Sequence, residues 1–141
     1  MPVCMLAIAL IFTAGCKSYN KQWKEAAAFA PSEDTFEGRW EGSWLSEHKG
    51  HSGRLRCLVS KRGDDSYEAN FQAKYRKVLT FHYPVTLHTT RDGTNIAFLG
   101  EADLGWLAGG LYYYAGRADA TNFFSTYSNR FDHGTFNLRK Q

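Results

Sequence analysis

The chain has 141 residues, room for one domain of ordinary size, and aromatic residues make up 16% of it, a richness that favours strands over helices. Three cysteines among 141 residues are too few for the Cys-rich secreted class that is stapled by several disulfides, so stability has to come from packing. The formal net charge is a modest +3.

Residues 5–12, Met-Leu-Ala-Ile-Ala-Leu-Ile-Phe, form an uncharged apolar run. The small residues Thr13, Ala14 and Gly15 follow, then Cys16, and then the polar Lys17-Ser18-Tyr19-Asn20. The run falls short of the ~20 residues needed to span a bilayer, so it reads as a secretory signal over residues 1–15 that the mature protein lacks. Thr13-Ala14-Gly15-Cys16 resembles the lipobox of bacterial lipoproteins, with Thr where Leu is usual. A second departure is Met1-Pro2-Val3-Cys4, which has no Lys or Arg. The resemblance covers this segment only. It implies cleavage between Gly15 and Cys16, a diacylglyceryl group on the Cys16 thiol and acylation of the new amino terminus. Several acyl chains make a stable membrane anchor where one is marginal. Lys17, rather than Asp, after the cysteine is compatible by the same resemblance with the outer membrane, and an exported, anchored chain is not expected to meet nucleic acid.

Residues 16–37 read as the lipidated cysteine and a tether, in which residues 22–30 have helical character and Pro31 ends it. From Gly38 the pattern changes to period two. Trp40 and Trp44 share one face of residues 38–47; Leu55, Cys57 and Val59 oppose Arg54 and Arg56; Tyr67, Ala69, Phe71, Ala73 and Tyr75 oppose Lys74 and Arg76. Cys57 therefore reads as a buried, inert thiol. Further runs at residues 78–88, 95–101, 111–118, 123–129 and 135–139 are separated by turn signals such as Arg91-Asp92-Gly93. Pro84 marks its run as bent, bulged or edge-like.

Eight short strands with short links and no crossover helix predict an all-β fold, an antiparallel up-and-down β-barrel over residues 38–141, with a β-sandwich as the alternative. Phe36-Glu-Gly-Arg-Trp40 is similar to the Gly-x-Trp that opens the first strand of lipocalins, and the domain resembles the lipocalin, fatty-acid-binding protein and avidin barrels. That resemblance implies a small apolar ligand inside the barrel; for an apolar or amphipathic guest the inner face read from the strands offers Trp40, Trp44, Tyr67, Phe71, Phe81 and Tyr113 as interior contacts. A filled barrel acting as a structural or interaction module of the envelope is the alternative.

Other patterns carry less. Gly109-Gly110 is followed by Leu-Tyr-Tyr-Tyr, a strand sequence without the Lys-Ser/Thr and helix that a phosphate loop requires. Leu104, Trp106 and Leu107 are apolar for a connection and form a candidate mouth loop, acting as plug, ligand entrance or membrane contact. Arg54, Arg56, Lys74 and Arg76 form a candidate basic patch on the polar face. His48 and His51 beside Glu47 read as a solvated turn rather than a metal site. Ser125 or Ser128 with Asp132 and His133 supplies hydrolase residue types, but neighbouring acid and base would point apart. Glu101 and Asp103 form a lone carboxylate pair. No catalytic residue, metal or cofactor is expected.

Overall fold

Eight strands follow one another around a single antiparallel sheet: β1 (Gly38–Ser46), β2 (Ser52–Gly63), β3 (Ser66–Tyr75), β4 (Leu79–Asp92), β5 (Asn95–Asp103), β6 (Leu111–Ala118), β7 (Asn122–Ser128) and β8 (His133–Lys140). β8 pairs with β1, so the sheet is one closed barrel, as the alternation and the turn spacing predict. The structure, a computed structural model, describes residues 18–28 and 35–141; the expected signal segment 1–15 and the expected lipidation site Cys16 lie outside them. Closure removes most of the strand edge that would otherwise recruit other chains.

Alternation fixes which side chains point inward. Trp40, Leu55, Cys57, Val59, Tyr67, Ala69 and Phe71 are all buried, while their sequence neighbours on β1 to β3 are half-buried or exposed, apart from Gln72. Burial also pushes the Cys57 thiol well above its ordinary range, as suits an inert core residue.

The lower end of the barrel, where β1 begins and β8 finishes, is closed by a side chain from outside the sheet. Phe36 is 2% exposed. Its ring meets Tyr67 edge-on at 5.1 Å and stacks near Phe123 at 5.8 Å and Phe98 at 5.9 Å, and its carbonyl accepts the indole N–H of Trp40 at 3.1 Å. Edge-on and offset rings at such separations add to the area they bury. Lys140 fastens this plug: its ammonium donates to the carbonyls of Thr35 and Glu37 and lies 4.7 Å from the centre of the Trp40 ring. Burial lowers the Lys140 ammonium to about 8.

The expected tether is in part a docked helix. α1 (Tyr19–Ala28) packs on the outside of the wall through its two buried residues, Tyr19 and Trp23. Tyr19 donates its hydroxyl to the Asn70 carbonyl at 3.0 Å and stacks on His82 at 5.3 Å. Trp23 lies beneath the guanidinium groups of Arg39 and Arg56, at 5.3 and 4.9 Å. Gln72, which points outward yet is buried, shares a 3.1 Å hydrogen bond with His82. The folded unit therefore begins before Gly38, because Phe36 belongs to the core and the helix shields the outer face of β1 to β4.

Replacing Phe36 with Ala should cost about 3–5 kcal/mol in denaturant unfolding, the usual range for deleting a buried Phe. A loss below about 1 kcal/mol would show that the lower end repacks without it.

Candidate functional site

The upper half of the barrel is built differently from the lower. Pro84 lies in the middle of β4 opposite Asn70 of β3, and it offers no N–H to a neighbour on its other side. Pairing between β4 and β5 reaches upward only as far as Thr86 and Glu101. Above that row β4 runs on from Leu79 to Val85 paired with β3 alone, the edge setting in which a sheet tolerates proline. The wall is thereby split on one side near the mouth.

A cavity of ≈ 1190 Å³ occupies this upper half and emerges at the mouth and through the split. Its inner lining includes Trp44, Tyr83, Tyr112, Tyr114, Tyr127 and Phe136; Thr86, Glu101 and His82 line the side opening. Ligand pockets of drug-sized molecules run from about 300 to 1,000 Å³, so the space, mouth and side opening included, is of the size that holds a small ligand.

The polar groups of the cavity are arranged in pairs. Asp132 accepts from the Ser46 hydroxyl at 2.6 Å and from the Tyr127 hydroxyl at 3.2 Å. The Tyr112 hydroxyl donates to the Ala108 carbonyl at 2.8 Å, and those of Tyr83 and Tyr114 bond each other. Across the mouth, the Tyr75 hydroxyl meets His51 Nδ1 at 3.0 Å, and the Trp44 indole donates to the Lys74 carbonyl at 2.9 Å. Burial raises the phenols of Tyr83, Tyr112, Tyr114 and Tyr127 above their ordinary value of 10.0, and the Asp132 carboxylate adds to the shift at Tyr112 and Tyr127. The result is an aromatic chamber with neutral hydroxyl groups and one internal carboxylate.

Of the expected interior contacts, Trp40, Tyr67 and Phe71 are buried, Trp40 and Tyr67 in the packed lower half with Phe71 above them. Trp44 lines the cavity, and Phe81 lines it at the mouth, where it is 47% exposed. Tyr113 is a correction. It points outward and is 54% exposed, while Tyr114 is buried at 3%, because the pairing of Gly100 with Tyr114 and of Ala102 with Tyr112 puts the even-numbered residues inside.

The mouth loop also departs from a plug. A single 3₁₀ turn, Trp106–Ala108, is bracketed by Gly105 and Gly109, both with positive φ. Leu104 N–H donates to the Gly110 carbonyl at 2.9 Å, and Asn129 Nδ2 donates to the Gly109 carbonyl at 3.0 Å. This framework holds Trp106 and Leu107 outward, 87% and 83% exposed, with Leu104 half-buried beneath them at the cavity edge.

The basic patch is largely spoken for. Arg54 and Arg56 both pair with Glu41, Arg56 at 3.4 Å, and Arg56 also covers Trp23. Lys74 stands beside Gly53 on the neighbouring strand, and Arg76 has moved into the β3–β4 turn, where it and Lys77 adopt left-handed φ values of 52° and 63°. Among the described residues no group of His, Cys, Asp and Glu is placed to hold a metal ion. The hydrolase residue types do not converge: Ser125 donates to the carbonyls of Ala115 and Thr126, and Asp132 engages Ser46 and Tyr127. The Ser46–Asp132 pair was not foreseen, since 86 residues separate its members.

Neither a family model, a curated protein nor a solved structure matches this chain, so the reading of the site rests on its geometry.

A tyrosine whose folded pKa is raised stabilises the fold below its unfolded value, and that stability is lost as pH climbs through it. With four such phenols in the cavity, the barrel should lose stability steadily above pH 10, and phenolate absorbance of these tyrosines should emerge only with unfolding. Their complete ionisation while near-UV circular dichroism stays native would contradict a shielded chamber.

Proposed function

We propose that this chain is a lipid-anchored bacterial envelope protein whose barrel binds a small amphipathic molecule in its upper half. The observation that carries the reading is the cavity of ≈ 1190 Å³, lined by aromatic faces and tyrosine hydroxyls, above an interior that is otherwise filled. Flat or chain-like apolar bodies suit the rings of Trp44, Tyr83 and Phe136, and a hydroxyl or amide group suits the Asp132, Ser46 and Tyr127 set. A carboxylate fixed inside the chamber selects against anionic head groups, since two like charges in a low dielectric repel. The reading is one of binding: the Asp132 carboxylate is occupied by the Ser46 and Tyr127 hydroxyls, which fix it in the wall of the chamber. The packed lower half favours the second reading, a structural module of the envelope, only if the upper cavity binds nothing.

Native mass spectrometry of the protein purified from its own membrane should detect a reproducible small molecule, absent from a Trp44→Ala variant and retained by the outward-facing Leu99→Ala. An unloaded wild type, or a molecule held equally by all three proteins, would count against the cavity as its site.

The anchor is tested separately. Cys16→Ser should release the protein to the soluble fraction or leave it unprocessed; normal processing with unchanged membrane association would refute lipidation.

A further inference from the structure

The two ends of the barrel differ in what their turns expose. At the lower end the turns carry Asp64, Asp65, Asp92 and Asp119, with Lys61, Arg62 and Arg91 on the strand ends beside them, and no large apolar side chain among the described residues is exposed there. At the mouth, three of the four turns present exposed apolar groups: Val78 and Leu79 after β3, Trp106 and Leu107 after β5, and Phe131 after β7. Cations stand among them, Arg76 and Lys77 in the first of these turns, Arg130 beside Phe131, and Lys49 in the remaining turn. Three acidic groups at this end are engaged locally, while Glu101 stands exposed at the side opening. Glu47 faces His133 at 3.8 Å, Asp103 accepts the Gly105 N–H at 2.9 Å, and Asp132 is turned inward onto Ser46. An apolar rim set with cations that form no ion pair among the described residues complements a phospholipid surface that carries negative charge.

Chain length gives the second argument. Cys16 precedes Tyr19 by only three residues, and three residues reach at most about 11 Å. Tyr19 is fixed against His82, which lines the side opening of the cavity. Because α1 is docked on the wall, the slack of a long tether is gone, and an acylated Cys16 would hold the upper part of β3 and β4 against the bilayer.

We propose that the barrel docks mouth-down on an anionic phospholipid leaflet, with Trp106, Leu107, Val78 and Leu79 seated at the acyl boundary and Arg76, Lys77 and Arg130 among the phosphates. This rests on the lipid-anchored reading above. In this pose the cavity and its side opening face the bilayer, so an amphipathic guest passes between membrane and chamber without crossing water.

The test uses the full chain purified from bacterial membranes and reconstituted in vesicles of phosphatidylglycerol and phosphatidylcholine, with and without bromine on the acyl chains. Mass spectrometry of the same sample reads the state of Cys16. Brominated lipid should quench the Trp106 emission by roughly half, with little effect on Trp106→Phe, since an interfacial side chain lies within reach of the upper acyl segment. Vesicles of phosphatidylcholine alone should quench less, and equal quenching would overturn the anionic preference. Lipidated protein whose Trp106 is unquenched overturns the docking while leaving the anchor intact, and a blue-shifted but unquenched Trp106 overturns it in favour of a protein covering the rim. An unmodified Cys16 overturns the docking pose together with the envelope reading.

Discussion

One phenylalanine ring from outside the sheet decides how the interior of this barrel is divided. Phe36 enters the lower end and gathers Trp40, Tyr67, Phe98 and Phe123 around it, so that half becomes a dry aromatic core. The sheet itself sets the bore, since eight strands enclose a space that side chains just fill or that holds one small ligand. Filling one end from the preceding segment leaves the other end free to be shaped by different rules. The same insertion brings residues 35–37 to Lys140, which ties the entry of β1 to the exit of β8 across the seam where the barrel closes.

Above that core the interior is aromatic but not dry. Tyrosines take the places that Phe occupies below, and a phenol can lie against an apolar face while its hydroxyl still needs a partner. Those partners come from within the cavity, in Asp132, the Ala108 carbonyl and a second phenol, so no buried side-chain polar atom among the described residues is left unsatisfied. A chamber whose polar groups already bond each other does not collapse to find partners. Its opening has an equally local cause: Pro84 cannot donate to a neighbouring strand, and the wall parts beside it.

Much of this was legible in the residues. Strict alternation at Trp40 and Trp44, at Leu55, Cys57 and Val59, and at Tyr67, Ala69 and Phe71 states both the strand period and the inner face, and the core contains these residues, with Trp44 packed against it. Pro84 marks its strand as bent, bulged or edge-like, and the pairing selects the last of these. Tyr113 reads as interior in the sequence, but three identical side chains in a row carry no period, and only the pairing of Tyr114 with Gly100 and of Tyr112 with Ala102 selects the inner two. Phe36 was invisible as a core residue since it precedes the alternating run, where periodicity says nothing. The contacts of α1 were hidden for a related reason: its partners, Asn70, His82, Arg39 and Arg56, lie on the polar side of the strands, and polar positions read as solvated. The pairing of Ser46 with Asp132 depends on two different turns meeting at the mouth, which no local pattern encodes.

The loop between β5 and β6 has a consequence for how surfaces are covered. Its backbone is already closed on itself by the Leu104–Gly110 and Ala108–Gly105 hydrogen bonds and pinned to its neighbour by Asn129, before anything touches Trp106 or Leu107. An exposed loop of that apolar content would ordinarily be mobile, and any partner would have to meet the entropy of ordering its backbone. Here only the freedom of two side chains is left to lose, about 0.5–1.5 kcal/mol for each one immobilised. The indole and the isobutyl group are held out on a preformed scaffold, a preorganised contact whose geometry exists in the free protein.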